Sequence, residues 1–110
     1  MATAATRYKL IFHAPLSAVA ACKQAVFAAG GGIYPKYSEV AFTVVGTGQF
    51  RPGEDAKPNI GTVGTIEEVQ EASVEILCVG EETTRAAVEA LKKAHPYEVP
   101  GYYVYKLEDF

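Results

Sequence analysis

Residues 71–94 read EASVEILCVGEETTRAAVEALKKA and hold a strand pattern followed at once by a helix pattern. In residues 71–79 apolar side chains alternate with polar ones, which is typical of a half-buried antiparallel strand. In the second part apolar residues recur at helical spacing, and we expect Thr83 or Thr84 to cap that helix. A tyrosine-rich strand at Tyr102–Leu107 completes a strand–helix–strand unit.

The N-terminal part of the chain has the same layout. Tyr8–His13 alternates as a strand, and Pro15 suits the first turn of a helix, where its missing N–H costs little. That helix is predicted to end near Ala29, where three glycines follow, and a second strand is predicted at Val40–Val45. The order β-α-β-β-α-β predicts an α+β ferredoxin-like sandwich, a four-stranded antiparallel sheet with both helices on one face.

Length and composition limit the class of protein. A chain of 110 residues has the size of a single domain, here expected to span residues 1–110 with residues 1–6 as a loose tail. Its net charge is −3 and its basic residues are scattered, so no nucleic-acid partner is expected. No segment is apolar enough to span a bilayer, and Cys22 and Cys78 are expected to be buried thiols. We therefore expect a cytoplasmic protein with no membrane partner.

The connection between the two halves, residues 46–70, is expected to be a long inter-strand loop that is rich in glycine. A loop of this length in a small domain is usually functional. Gly46-Thr47-Gly48 lacks the third glycine of a dinucleotide fingerprint and the lysine of a Walker loop. Two interpretations remain: a glycine bulge where a strand leaves the sheet, or a backbone nest that binds an anionic small molecule together with Arg51.

A second polar cluster, His95-Pro96-Tyr97-Glu98, lies in the turn between the second helix and the last strand. His95 and Glu98 have the chemistry of an acid and base pair. The alternative is structural: His95 caps helix carbonyls while Tyr97 anchors the turn.

The sequence gives little support to metal binding or to nucleophilic catalysis. His13 and His95 are the two histidines and are not at ligand spacing, which leaves only a weak interface site with one histidine per subunit as an alternative. The three serines, at positions 17, 38 and 73, lie in plain helix or strand contexts, so no nucleophile, histidine and acid can be assembled.

Several motifs taken together resemble a known family. In chain order they are GTGQFRP at 46–52, PNIG at 58–61, Gly64, Glu71 opening a strand, and AHPYEVP at 94–100. This set resembles the Nif-three-like family (NGG-one-interacting factor, YqfO-type), in the small domain that many bacterial members carry inserted in a larger metal-binding domain. The first strand and the helix ending in Ala-Gly-Gly fit as well, so the resemblance covers nearly the whole chain.

The resemblance implies a ferredoxin-like domain similar to the CutA and PII signalling folds, which commonly associate as trimers. It also implies that the family's dinuclear metal centre lies in the other domain, so none of its ligands is carried onto this chain. Glu39-Val40 stand where the family often has a His-Cys pair after Tyr37-Ser38, and any binding by that pair is not carried over either.

The sequence is consistent with three functions. The leading hypothesis is a small-molecule-sensing or regulatory module, a homotrimer without cofactor, metal or catalytic residues. Its ligand-binding residues are expected to be Gly46, Thr47, Gly48, Arg51, Asn59, His95, Tyr97 and Glu98. The second hypothesis is an enzyme that uses His95, Glu98 and Arg51 on an anionic substrate. The third is an assembly domain whose last strand pairs with the sheet edge of a neighbour.

Overall fold

The computed structural model describes residues 5–110, and most of the expected tail at residues 1–6 lies outside them. The strands are β1 (Arg7–Pro15), β2 (Phe42–Phe50), β3 (Glu67–Val79) and β4 (Tyr102–Lys106). The helices are α1 (Val19–Ala28) and α2 (Glu81–Ala94), and a short 3₁₀ turn at Leu16–Ala18 precedes α1.

The four strands form one antiparallel sheet in the order β2-β3-β1-β4. Non-consecutive neighbours arise because each helix carries the chain across the sheet between two strands. The predicted ferredoxin-like α+β fold is confirmed. β2 and β4 are the two edges of the sheet.

One apolar layer joins the sheet to both helices. Alternate residues of β1 and β3, including Phe12, are fully buried and form one cluster with Val26 of α1 and Leu91 of α2. Both helices therefore cover the same face of the sheet, and we call the opposite side the open face. Cys22 and Cys78 lie in this layer as buried free thiols, as expected, and burial raises the pKa of Cys78 to about 11.

The start of α2 differs from the prediction. Gly80, at φ 91°, is the residue before the helix, and the Thr84 hydroxyl donates a hydrogen bond to its carbonyl at 2.7 Å. The expected cap at Thr83 or Thr84 is therefore wrong. Glycine adopts a positive φ without steric cost, so the chain turns directly from β3 into the helix.

The two middle strands are longer than predicted. β2 reaches Phe50 and β3 begins at Glu67, so the loop expected over residues 46–70 is confined to residues 51–66, here called the arm loop. Pairing of β1 with β3 ends at Glu71, whereas β2 and β3 stay paired beyond it. We call residues 47–70 the arm. It projects past the end of β1 and contributes to overall dimensions of 56 × 24 × 23 Å.

Within residues 5–110, neither helix combines the length and the apolar content that crossing a membrane requires.

Candidate functional site

The arm loop meets the junction turn, by which we mean residues 95–101 between α2 and β4. Both segments emerge at the same end of the sheet, because β4 begins opposite Phe12, near the end of β1. The Lys57 backbone N–H donates a hydrogen bond to Glu98 Oε1 at 2.9 Å. The rings of Phe50 and Tyr97 are tilted by 53° to each other, with centroids 6.3 Å apart.

A cavity of about 290 Å³ lies between these two segments. Four of the residues predicted for ligand binding line it, namely Arg51, Asn59, Tyr97 and Glu98. The remaining lining residues are Phe50, Pro52, Gly53, Ala56, Pro58, Ile60 and Val99. The arm loop and the junction turn therefore meet within one chain.

The walls of this cavity are mainly apolar, with two charged side chains. Phe50, Ile60 and Val99 supply apolar surface, and Val99 is 80% exposed although it is a branched hydrophobic residue. Arg51 and Glu98 are the charged residues of the lining. The sequence reasoning missed these three apolar residues, although apolar side chains within an otherwise polar loop were a usable signal.

Gly46, Thr47 and Gly48 lie elsewhere. All three are in β2 and pair in continuous register with β3, so neither the predicted bulge nor the predicted backbone nest is present. A nest requires successive N–H groups to converge on one point, which extended backbone does not provide. They line a separate depression of about 150 Å³ that also includes His13, Glu71 and Ser73.

His95 is buried, with 6% of its surface exposed, and both of its ring nitrogens are occupied. Nε2 lies 2.7 Å from the His13 carbonyl, and Nδ1 accepts a hydrogen bond from the Tyr97 backbone N–H at 3.1 Å. This pair of partners assigns the proton to Nε2. The ring therefore fastens the junction turn to the end of β1. It does not cap helix carbonyls, and it does not line the cavity.

Both backbone groups of His13 form hydrogen bonds with the junction turn. Its carbonyl accepts from His95, and its N–H donates to the Gly101 carbonyl at 3.0 Å. The turn that forms one wall of the cavity is thus held to the central strand of the sheet. Such a wall is pre-positioned before any ligand arrives, which lowers the entropic cost of binding.

Tyr97 places its hydroxyl in a buried position where no hydrogen-bond partner with good geometry is found among residues 5–110. Burial raises the pKa of Tyr97 to about 12, and the nearby Glu71 carboxylate adds to the rise. The Glu71 side chain also lies over Gly48, in the space that a side chain at that position would need. Glu71 therefore lies between the cavity and the depression that Gly46, Thr47 and Gly48 line. The sequence did not indicate this role.

No group of three or more His, Cys, Asp or Glu side chains arranged to hold a metal ion is found within residues 5–110.

No protein-family model matches the chain. A protein of Mycobacterium leprae named GTP cyclohydrolase 1 type 2 homolog is 44% identical over 100 residues, which cover 90% of this chain and 26% of that protein. The Bacillus subtilis protein of the same name is 36% identical over 91% of this chain and 26% of its own length. A solved structure of a Bacillus cereus protein related to NIF3 matches with a TM-score of 0.83 and 30% identity. The resemblance to the Nif-three-like family is confirmed.

The match concerns one part of these Nif-three-like proteins. The chain spans 26% of the length of the Mycobacterium leprae relative and 27% of the Bacillus cereus chain, while 98% of this chain is covered in the latter. It corresponds to a domain-sized segment of the longer relatives.

More distant structures share the fold. CutA from Archaeoglobus fulgidus, a periplasmic divalent cation tolerance protein, matches with a TM-score of 0.65 at 14% identity, over 94% of this chain and 86% of its own. GlnK of Bacillus subtilis, solved with ATP, matches with a TM-score of 0.60 at 10% identity, over 94% of this chain and 84% of its own. The expected CutA/PII-like architecture is therefore confirmed.

Proposed function

We propose that the chain is a regulatory module that senses a small molecule and works as a homo-oligomer. The observation that carries this proposal is the cavity between the arm loop and the junction turn. Its volume of about 290 Å³ suits a small metabolite, and mainly apolar walls with a few polar groups are typical of ligand sites.

The way the cavity is built supports sensing. One wall is fixed to the central strand through His95, whereas the other is the arm loop, which the hydrogen bond from Lys57 to Glu98 joins to the junction turn. A ligand that contacts both walls would favour the closed arrangement over any other position of the arm loop. The arm would thereby report whether the site is occupied.

The alternative of an enzyme with His95, Glu98 and Arg51 is less well supported. Both nitrogens of His95 are engaged, and the ring lies outside the cavity that Arg51 and Glu98 line. A general base must reach the proton it removes. The cyclohydrolase name of the relatives is not transferred, because the chain spans only 26% of their length.

Self-association is proposed from the open face and the two sheet edges. Strand register places Phe42 and Val44 of β2 and Tyr103 and Tyr105 of β4 on the open face, each with more than half of its surface exposed. Exposed apolar side chains beside unpaired strand edges are typical of interfaces between chains. We propose a trimer, because the CutA and PII folds that the chain resembles commonly form trimers.

A cytoplasmic location is also proposed. Cys22 and Cys78 are free thiols, and free thiols are typical of proteins in a reducing compartment.

The test is a fragment library titrated into the ¹⁵N-labelled chain, with backbone amide shifts as the readout. We expect saturable shifts for fragments that bind, concentrated in residues 51–60 and 97–99. Gly53→Leu is the blocking variant, because Gly53 lines the cavity, has no positive φ, and leaves open space where a side chain would start.

Gly53→Ala is the matched control, since a methyl group leaves most of the cavity free. Fragment shifts that disappear in Gly53→Leu and persist in Gly53→Ala support the proposal. If no fragment shifts these amides, or if the shifts survive Gly53→Leu unchanged, the proposed site is wrong.

A further inference from the structure

We infer that the ligand of this cavity is an apolar α-amino acid in its zwitterionic form. The inference rests on the proposed function and names the chemical class of the ligand. It follows from the presence of one cation, one anion and two aromatic rings in the lining of one small cavity.

Arg51 is suited to bind the ligand's carboxylate. Arg51 is an exposed residue of the cavity lining, and within residues 5–110 its guanidinium forms no ion pair with Asp or Glu. A guanidinium offers five donors in a planar fork that matches the two oxygens of a carboxylate. Arg51 is therefore available for the bidentate contact that gives such pairs their strength and direction.

Glu98 is suited to bind the ligand's ammonium group. Its Oε1 accepts one hydrogen bond from the Lys57 backbone, and a carboxylate has about four lone-pair sites over its two oxygens. The bond to Lys57 fixes the position of the carboxylate and leaves acceptor capacity for a second donor. Because Arg51 and Glu98 carry opposite charges, a ligand with a single charge would form an ion pair with only one of them.

The side chain of the ligand would lie against the apolar walls. Phe50 and Tyr97 present tilted rings 6.3 Å apart, and Ile60 and Val99 add branched aliphatic surface. Aromatic rings in this arrangement pack favourably against a further ring or an aliphatic chain. Covering an exposed hydrophobic residue such as Val99 also contributes favourable free energy to binding.

Three probes separate the contributions of the two charges. L-Phenylalanine carries both charges, N-acetyl-L-phenylalanine keeps only the negative one, and L-phenylalaninamide keeps only the positive one. Each is titrated into the ¹⁵N-labelled chain. We expect L-phenylalanine to bind at least tenfold more tightly than either derivative, with shifts in residues 51–60 and 97–99.

Two variants assign each charge to a residue. Arg51→Gln should weaken L-phenylalanine and the N-acetyl derivative at least tenfold and leave the amide unchanged. Glu98→Gln keeps an oxygen that accepts from Lys57 but has no charge, so it should weaken L-phenylalanine and the amide and leave the N-acetyl derivative unchanged. Lys36→Gln is the control, because it removes one positive charge from an exposed residue outside this lining.

Equal binding of the N-acetyl derivative and L-phenylalanine would overturn the inference in favour of a simple anion site. Absence of binding by all three probes would overturn it as well. If library fragments still bind at the cavity in either case, the proposed function stands. If no fragment binds there, the proposed function fails with it.

Discussion

At the scale of the single residue, His95 holds the junction turn through two hydrogen bonds to backbone groups, one on β1 and one within the turn. Sequence reasoning identified His95 as important for its chemistry and considered an acid and base role. The role could not be read from the sequence, because its partner His13 is 82 positions away and offers a carbonyl that any residue type would provide.

We predict that His95→Ala destabilises the fold by about 2–3 kcal/mol, since two hydrogen bonds are lost and the His13 carbonyl is left unpaired beside the core. Urea unfolding measures the change. His13→Ala is the control, because it keeps the backbone carbonyl, and its cost should be below about 1 kcal/mol. Equal losses for the two variants would contradict this role of the His95 ring.

Tyr97 differs from His95 in that its buried hydroxyl has no partner within residues 5–110. We predict that Tyr97→Phe at pH 7 leaves stability within about 1 kcal/mol of the wild type, because the Tyr97 hydroxyl lies near the Glu71 carboxylate but forms no hydrogen bond of good geometry within residues 5–110.

The same variant changes the dependence of stability on alkaline pH. The native pKa of about 12 lies above the ordinary tyrosine value, so between about pH 10 and 12 the unfolded chain loses this proton while the native chain keeps it. Stability is therefore lost as pH rises through that range. We predict a smaller loss for Tyr97→Phe than for the wild type in urea titrations at pH 9.5 and 11.5, and equal losses would contradict a buried, protonated Tyr97.

At the scale of the element, the chain between α1 and β2 contains a strained position. Glu39 has a φ of 55°, in the left-handed region that side chains with a Cβ rarely adopt. The Glu39 side chain is exposed.

Glu39→Gly should stabilise the protein by about 0.5–1 kcal/mol, because relief of the left-handed strain exceeds the added entropy of the unfolded chain. The measurement is the Tm by calorimetry, where an increase of about 2–8 °C is expected. Glu39→Ala keeps a Cβ and should not show this gain. A lower Tm for the glycine variant would mean that the Glu39 side chain makes a stabilising contact that outweighs the strain.

The predicted elements differ from the observed ones mainly along the arm. The period-two and helical patterns gave the right order of strands and helices, because each reflects burial on one face of its own element. The patterns failed at Gly46 and Gly48, since glycine is rare in strands and marks loops. Pairing with residues 67–71 of β3 keeps this segment extended despite its low intrinsic preference.

The candidate site was predictable only in part, because the extent of the arm could not be read from the sequence. Motif reasoning selected Arg51, Asn59, Tyr97 and Glu98, which the fold brings to one cavity. It also selected Gly46–Gly48, which lie in a different depression. The position of one motif relative to another depends on how far the arm extends, and that length is set by pairing between strands rather than by the residues of the motif.

At the scale of the whole molecule, the proposed trimer buries the open face and its edges. Tyr103→Glu places a charge on the β4 edge of that surface, and we predict dissociation to a monomer of 11.8 kDa in sedimentation experiments at micromolar concentration. Gln24→Glu adds the same charge to an exposed site on α1 and should leave the mass at three times that value. A monomeric wild type, or an unchanged mass for Tyr103→Glu, would contradict this assembly.

The central claim is that the arm loop and the junction turn enclose one binding cavity in solution. Hydrogen exchange at the Lys57 amide tests it most directly, because this N–H of the arm loop donates to Glu98 of the junction turn. An amide with a persistent hydrogen bond exchanges more slowly than a free one. We predict that Lys57 exchanges more slowly than Asp55 in the same loop, that Glu98→Ala removes the difference, and that Glu98→Gln preserves it. Exchange of Lys57 at the rate of an unstructured peptide in the wild-type chain would contradict the account.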